Sequence, residues 1–410
     1  MGARLKEVVV TGMGVVSSLG IGRETFWDNL ISGVSGISEI SSFDTMNSPY
    51  KFGGEVKVVA FNDRVKRLNI SKYGKASQFA IIATKLALVD GKLLPDLDAA
   101  ARFAGDVIVG TTMGEIQALE EADRVWLSEN EESVDPGLIF KYPSHSIAIN
   151  VAKEIRGTCR AITVPTACAA GNYAIGYGYD LIRTGRSQWV VAGGAEAFSR
   201  IAYTGFSRMF AMAKSKCSPF SKGREGMLLG EGAAFLLLES AESARSRKVS
   251  PYARVAGYGL SCDASHMTIP SERGVKSVMM RALAFSDIDP SEVDYISAHG
   301  TGTQANDKVE SAAINAALGS HAKDVPVSSI KSMLGHTMGA ASAMEAISCV
   351  LTIVEGKIPP TINYSGADPE CKIDCVPNKS RSKKVRVALN NSFAFGGNNS
   401  CSVFSKFFND

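Results

Sequence analysis

The chain has 410 residues, enough for two domains or one large duplicated unit rather than a single small core. Apolar residues make up 45% and charged residues 21%, which excludes a disordered or fibrous chain. Lys plus Arg number 44 against 41 Asp plus Glu, so there is no field to favour nucleic acid or an anionic membrane surface.

The N-terminal MGARLKEVVVTG has no apolar signal core, and Lys6 stands where a myristoylation motif needs Ser or Thr. The first strand is Glu7–Thr11. It ends in a small-residue turn at Gly12-Met-Gly-Val-Val-Ser17, which imitates a dinucleotide fingerprint but is not followed by a ribose-binding acid. A helix is expected over 73–90. Strand 161–164 meets the small-residue turn Thr166-Ala-Cys-Ala-Ala-Gly171, and a helix follows to Gly185. Strand 189–192 comes next, and the polar stretch 239–248 marks a join between an N-terminal half, 1–248, and a C-terminal half, 249–410. Beyond it lie a helix over 274–285 and strand 295–297, which ends in Ala298-His-Gly-Thr-Gly-Thr303. Strand 325–329 meets Leu334-Gly-His-Thr-Met-Gly339, an apolar helix follows to Gly356, and strand 385–389 closes the series. These strands do not alternate, so both faces are expected under helices, in an α/β class. Two units read strand, tight turn, buried helix, glycine stop, which points to a duplicated α/β unit.

No apolar run approaches the roughly 18 residues of a membrane span. The eight cysteines, at 159, 168, 217, 262, 349, 371, 375 and 401, have no framework spacing, and Cys371 and Cys375 lack a second pair. No disulfide scaffold and no zinc site are expected, and a reducing cytoplasm is the expected location. A P-loop, a G-x-S-x-G elbow and a metal-spaced histidine pair are also missing.

Three residues carry the chemistry. Cys168 sits between a strand and a helix among Ala and Gly, where a helix N-terminus lowers a thiol pKa and small neighbours admit a substrate. A buried structural cysteine would fit the same turn. Of only five histidines, His299 and His336 lie in glycine-rich turns after buried strands, while His145, His266 and His321 do not.

The chain resembles the elongating β-ketoacyl-acyl-carrier-protein synthases of fatty acid synthesis and their polyketide relatives. The likeness runs through Val8-Val-Val-Thr-Gly-Met-Gly-Val-Val-Ser17, Pro165-Thr-Ala-Cys-Ala-Ala-Gly171, Gly193-Gly-Ala-Glu-Ala197 and Leu229-Gly-Glu-Gly-Ala233. It continues through His299-Gly-Thr-Gly-Thr303, Lys331-Ser-Met-Leu-Gly-His336 and Asn391-Ser-Phe-Ala-Phe-Gly-Gly397. A thiolase would need a second cysteine in that last loop, and a priming synthase would carry Asn in place of His336.

The resemblance implies a thiolase fold, a duplicated α-β-α-β-α layered core with mixed five-stranded sheets. It implies a catalytic Cys168–His299–His336 triad, with Lys331 orienting the site through a carboxylate such as Glu310. It also implies an oxyanion hole from the backbone N–H groups of Cys168 and Phe395, and Thr301 and Thr303 on the pantetheine arm. Phe393 and Phe395 would flank the nucleophile. No cofactor is implied. The partners implied are acyl carrier protein and a second subunit, in a homodimer or in a heterodimer with a chain-length-factor-like subunit. A malonyl decarboxylase and a non-condensing partner subunit are the alternatives, and the retained Cys168 disfavours both.

The chain departs from the family around Gly110-Thr-Thr-Met-Gly-Glu115, where Thr112 and Glu115 replace glycines and Met113 replaces a pocket isoleucine. Lys141 falls near a position that is often Phe. A buried charge needs a partner or water, so Glu115 and Lys141 are expected to make the acyl-pocket floor polar and to disfavour long saturated chains.

Overall fold

In the computed structural model, which describes residues 5–99, 103–157 and 160–408, ten strands carry the fold. Cys159 lies outside the described residues. The strands are β1 (Val8–Ser17), β2 (Asp106–Gly110), β3 (Ala161–Val164), β4 (Trp189–Glu196) and β5 (Gly232–Ser240), then β6 (Ala253–Cys262), β7 (Tyr295–Ser297), β8 (Val327–Ser328), β9 (Val387–Phe393) and β10 (Asn398–Ser405). Within the first five the spatial order is β3-β2-β4-β5-β1, and within the second five it is β8-β7-β9-β10-β6. The directions repeat as well. In each set the first three strands run parallel and the last two pair antiparallel. One unit has been built twice.

The mixed five-stranded sheets that were expected are present, and the two sets meet along one pair of strands. Val8, Val9 and Val10 pair antiparallel with Val255, Arg254 and Ala253, joining them into one continuous sheet. The join is short, three residue pairs, and two helices, α2 (Ala170–Arg183) and α5 (Ala341–Glu355), pack against both sets. These helices touch each other, with the Asn172 N–H donating to Ser342 Oγ at 3.0 Å. They share one core with the inward residues of both sets, such as Val190, Leu236 and Leu238 from one and Tyr295, Ala388 and Phe404 from the other. Helix α1 (Lys75–Asp90) covers the outer face of the first set, against Val107, Val109, Val191, Phe235 and Leu237. Helices α3 (Glu272–Ser286) and α4 (Gln304–Leu318) cover the second set against Ile296, Leu389 and Val403. Alternate residues of one strand thus enter different cores, which is why the sequence shows continuous apolar runs instead of alternation.

Two expectations need adjustment. The glycines after Thr11 extend β1 to Ser17 instead of forming a turn, and a Cβ on Gly14 would lie 1.9 Å from the Ala83 carbonyl oxygen of α1. They allow a helix to approach a strand closely. Met338–Glu355 also proves as long and apolar as a membrane span, with a mean hydropathy of 1.4, yet 89% of that stretch is buried as the central helix.

The duplicated layers bring β4 against the turn that precedes α5. A Cβ on Gly194 would lie 2.3 Å from the Gly339 carbonyl oxygen, whereas one on Gly205 has no neighbour within 4 Å. Gly194→Ala is therefore expected to cost about 1–3 kcal/mol by overpacking. Gly205→Ala, inside helix Arg200–Arg208, is expected to stabilise by roughly 0.5–1 kcal/mol. Thermal unfolding midpoints should move in opposite directions, and a shared direction would contradict the close approach.

Candidate active site

Both units end their third strand in the same device. After β3, Ala167 adopts a left-handed φ of 50°, and the turn Ala167–Ala169 delivers Cys168 to the head of α2. After β8, Met338 adopts φ 45°, and the turn Met338–Ala340 leads into α5, with Gly339 in the place that corresponds to Cys168. The second turn contributes its histidine instead. His336 lies just ahead of it, held by its backbone N–H to the Leu228 carbonyl at 2.7 Å and by its own carbonyl to the Gly230 N–H at 3.0 Å.

The geometry assigns the tautomer of His336. The Met338 N–H donates to His336 Nδ1 at 3.1 Å, so the ring proton belongs on Nε2, which lies 3.1 Å from Cys168 Sγ. His299 follows β7. Its backbone N–H and that of Gly300 each donate to one oxygen of Glu310 at 2.8 Å. The two histidine rings stand edge to face with centroids 5.4 Å apart, and Phe393 packs against His299 at 5.7 Å. One ring nitrogen of each histidine and the cysteine sulfur lie within 4.8 Å of one another.

Burial sets the charges here. It holds both His299 and His336 well below the ordinary imidazole value, with Lys331 acting in the same direction, so both rings are neutral at neutral pH. It also pushes the Cys168 thiol up to about 12, while the charge of Lys331 pulls the other way. The Nε2–H of His336 and the N-terminus of α2 further favour the thiolate.

Three expected placements are corrected. Lys331 is fully buried and forms its ion pair with Glu345 on α5, not with Glu310. Glu310 sits on α4 and is occupied by the backbone of the His299 turn. Glu115 does not line the cavity beside the nucleophile. Its carboxylate accepts the N–H groups of Ala76 at 3.3 Å and Ser77 at 2.6 Å, at the N-terminus of α1, where a helix dipole favours a negative charge. Met113 is not itself in the cavity wall but packs in the apolar cluster behind it, which holds Phe198 and Met338 together with the wall residues Phe206 and Met227. Lys141 does not line that cavity either, and it lies close enough to Glu115 for its charge to act on the carboxylate, whose pKa burial raises.

A cavity of about 600 Å³ opens from Cys168, His299 and His336 to the surface. Thr301 and Thr303 line it, their hydroxyls 2.9 Å apart, and Thr303 also caps α4 by accepting the Asn306 N–H. Phe393 and Phe395 line it too, and Phe395 packs on Phe206 at 5.7 Å. The backbone N–H groups of Cys168 and Phe395 have no partner among the described residues. The sequence did not reveal the opposite wall, which includes Phe206, Met209, Phe210, Met227 and Met267. A signal did exist for Glu345, a carboxylate in the middle of the apolar helix α5, whose other carboxylate, Glu355, is its last residue.

Nearly the whole chain is similar to known proteins. A family model for the N-terminal domain of beta-ketoacyl synthases matches residues 5–244, and one for the C-terminal domain matches 252–365. The 3-oxoacyl-[acyl-carrier-protein] synthase 2 of Synechocystis is 37% identical, covering 98% of both chains. Nodulation protein E of Rhizobium meliloti is also 37% identical, covering 98% of this chain and 99% of its own. Among solved structures, the ishigamide ketosynthase/chain length factor superposes with a TM-score of 0.94 at 42% identity over 98% of this chain and 100% of its own. A type II polyketide ketosynthase in complex with its acyl-carrier protein follows with a TM-score of 0.87 at 32% identity, again over 98% and 100%.

The partner of Lys331 can be tested by stability. Removing one member of a buried pair strands the other charge, so Lys331→Met and Glu345→Leu are each expected to cost about 3–5 kcal/mol. The double variant should recover most of that loss, because it removes both charges. Coupling of Lys331→Met to Glu310→Gln should be weaker in the same denaturant titrations. Stronger coupling to position 310 would reverse the correction.

Proposed function

The chain belongs to the β-ketoacyl synthase family, and from that premise we propose that it elongates acyl chains held on acyl carrier protein by decarboxylative condensation. The single observation that carries this reading is the buried trio, a cysteine sulfur 3.1 Å from a neutral histidine Nε2–H with a second neutral histidine beside it.

In the first half-reaction Cys168 Sγ attacks the thioester carbonyl of an acyl-loaded carrier. The proton lost by Sγ ends on the departing phosphopantetheine thiol. The unpartnered N–H groups of Cys168 and Phe395 are the candidate donors to the oxyanion of this step and of the later one. In the second half-reaction a malonyl thioester occupies the same cavity, with Thr301 and Thr303 placed for its pantetheine arm. Loss of CO2 leaves an enolate, which attacks the acyl-cysteine carbonyl, and collapse expels the Cys168 thiolate, which takes up a proton. Enolate charge is stabilised by preorganised donors in a dry site, and neutral imidazole N–H groups at His299 and His336 fit that task. A decarboxylase that does not condense has no use for Cys168, which disfavours that alternative.

A second subunit is also proposed. Strand β3 lies at the edge of the sheet with one side unpaired, and Trp126, Leu127, Ile139 and Phe140 are exposed in the same half of the chain. An unpaired edge beside exposed aromatic and aliphatic residues suits an interface with a chain of the same fold, whether a second copy or a chain-length-factor-like subunit. The seven described cysteines are all free thiols, which suits a reducing cytoplasm.

The test uses acyl- and malonyl-loaded carrier protein together and reads release of CO2 and a β-ketoacyl product two carbons longer. Product should form with the wild type, and CO2 without product would leave only the decarboxylase reading. His299→Ala and His336→Ala should each slow decarboxylation by about 10²–10³-fold, because the enolate arises only in the second half-reaction. Acyl transfer to Cys168 should fall less. Equal losses in both half-reactions would contradict this division of roles.

A further inference from the structure

Glu196, the last residue of β4, is fully buried, and no cation lies in ion-pair contact with it among the described residues. Its carboxylate is instead surrounded by neutral donors from two different turns. The N–H of Thr112 reaches one oxygen at 2.7 Å and the N–H of Gly339 reaches the same oxygen at 3.0 Å. The N–H of Met113 and the hydroxyl of Thr111 reach the other oxygen at 2.9 and 3.3 Å. The Thr111 hydroxyl accepts the Gly114 N–H, which leaves its own proton for Glu196.

Such a group is costly to bury, and burial pushes it up to about 7. A neutral amide at this position would set N–H groups against N–H groups, so the donor set calls for a carboxylate. The two turns it binds are packed together, since a Cβ on Gly339 would lie 2.5 Å from Thr111 Cα and from Thr112 N. The bound turn at Gly339 contains Met338, whose N–H fixes Nδ1 of His336. Glu196 therefore stands one peptide unit away from the contact that sets the tautomer of that ring. Its charge also acts on the Cys168 thiol, in the direction opposite to that of Lys331.

We propose that Glu196 is a positioning residue for His336, clamping the turn after it to the Thr111–Met113 turn so that the Met338 N–H stays on Nδ1 and Nε2–H stays aimed at Cys168. The role of that hydrogen in condensation rests on the function proposed above, but the clamp itself does not.

The test is Glu196→Gln in the full-length assembled protein with ¹⁵N-labelled histidine. Long-range ¹H–¹⁵N correlation spectra report which ring nitrogen carries the proton without requiring any turnover. The wild type should show His336 protonated on Nε2, and the variant should show proton density shifted toward Nδ1 or exchange between the two forms. Malonyl decarboxylation should fall on the order of 10–100-fold in kcat, as when an outer partner of an active group is lost, with KM for the malonyl-loaded carrier little changed. An unchanged His336 spectrum in the variant overturns the proposal, whatever the activity. A loss confined to KM, with kcat intact, overturns it as well. Where Glu196→Gln fails to fold, Glu196→Asp, which keeps the charge but withdraws it by one methylene, is judged by the same spectrum. Should the wild type form no acyl-cysteine at all, the function proposed above fails, while the spectra still decide the clamp.

Discussion

Around the two central helices the layers leave little room for water, and several ionisable groups placed there respond to that dryness. Glu196, Glu310 and Glu345 are pushed up to about 7, Cys168 is pushed up to about 12, and both site histidines are held neutral. Charge survives only where donors or a counter-charge are supplied. Glu310 has two backbone N–H groups and the Asn306 amide, Glu196 has four neutral donors, and Glu345 has Lys331. A dry site also strengthens any donor aimed at a developing negative charge, which is what an enolate requires. The desolvation that makes the resting thiol a poor acid thus makes the histidines effective donors.

Duplication explains where the site lies. Each unit offers a left-handed residue, a single tight turn and a helix N-terminus at the end of its third strand, and the two turns face each other across the central layer. One copy uses its turn for the sulfur. The other carries Gly339 at that place and uses the preceding residues to present His336. The asymmetry has a steric reason, since a side chain at Gly339 would collide with Thr111 and Thr112. One framework thus supplies two different groups from equivalent positions, and Glu196 bonds the two sides together.

Much of this was legible in the residues. Apolar runs at 161–164 and 295–297 gave strands at those bounds, and the turn at Cys168 and the histidine turns at 299 and 336 converge as the family resemblance implied. What failed to show was direction. Glu115 and Met113 lie within a few residues of Thr112, yet their side chains turn to α1 and to a neighbouring apolar cluster, because the Glu115 carboxylate is drawn to the unpaired N–H groups of a helix start. Lys331 has Glu310 and Glu345 both buried nearby, and spacing along the chain could not say which carboxylate was free, since the backbone of His299 and Gly300 had already occupied one of them. Glycines after Thr11 looked like a turn because close helix approach and turn formation call for the same residue. The cavity wall at Phe206 and Met209 comes from a helix with no motif of its own.

The central claim is that Cys168 carries the acyl group between the two half-reactions, and mass spectrometry tests it most directly. The intact protein would be mixed with an acyl-loaded carrier in the absence of malonyl donor, and the adduct mapped by peptide fragmentation. The account predicts one acyl mass per chain on the peptide containing Cys168, and none in Cys168→Ala. An adduct on any other residue, or one that persists at the wild-type rate in Cys168→Ala, would contradict it.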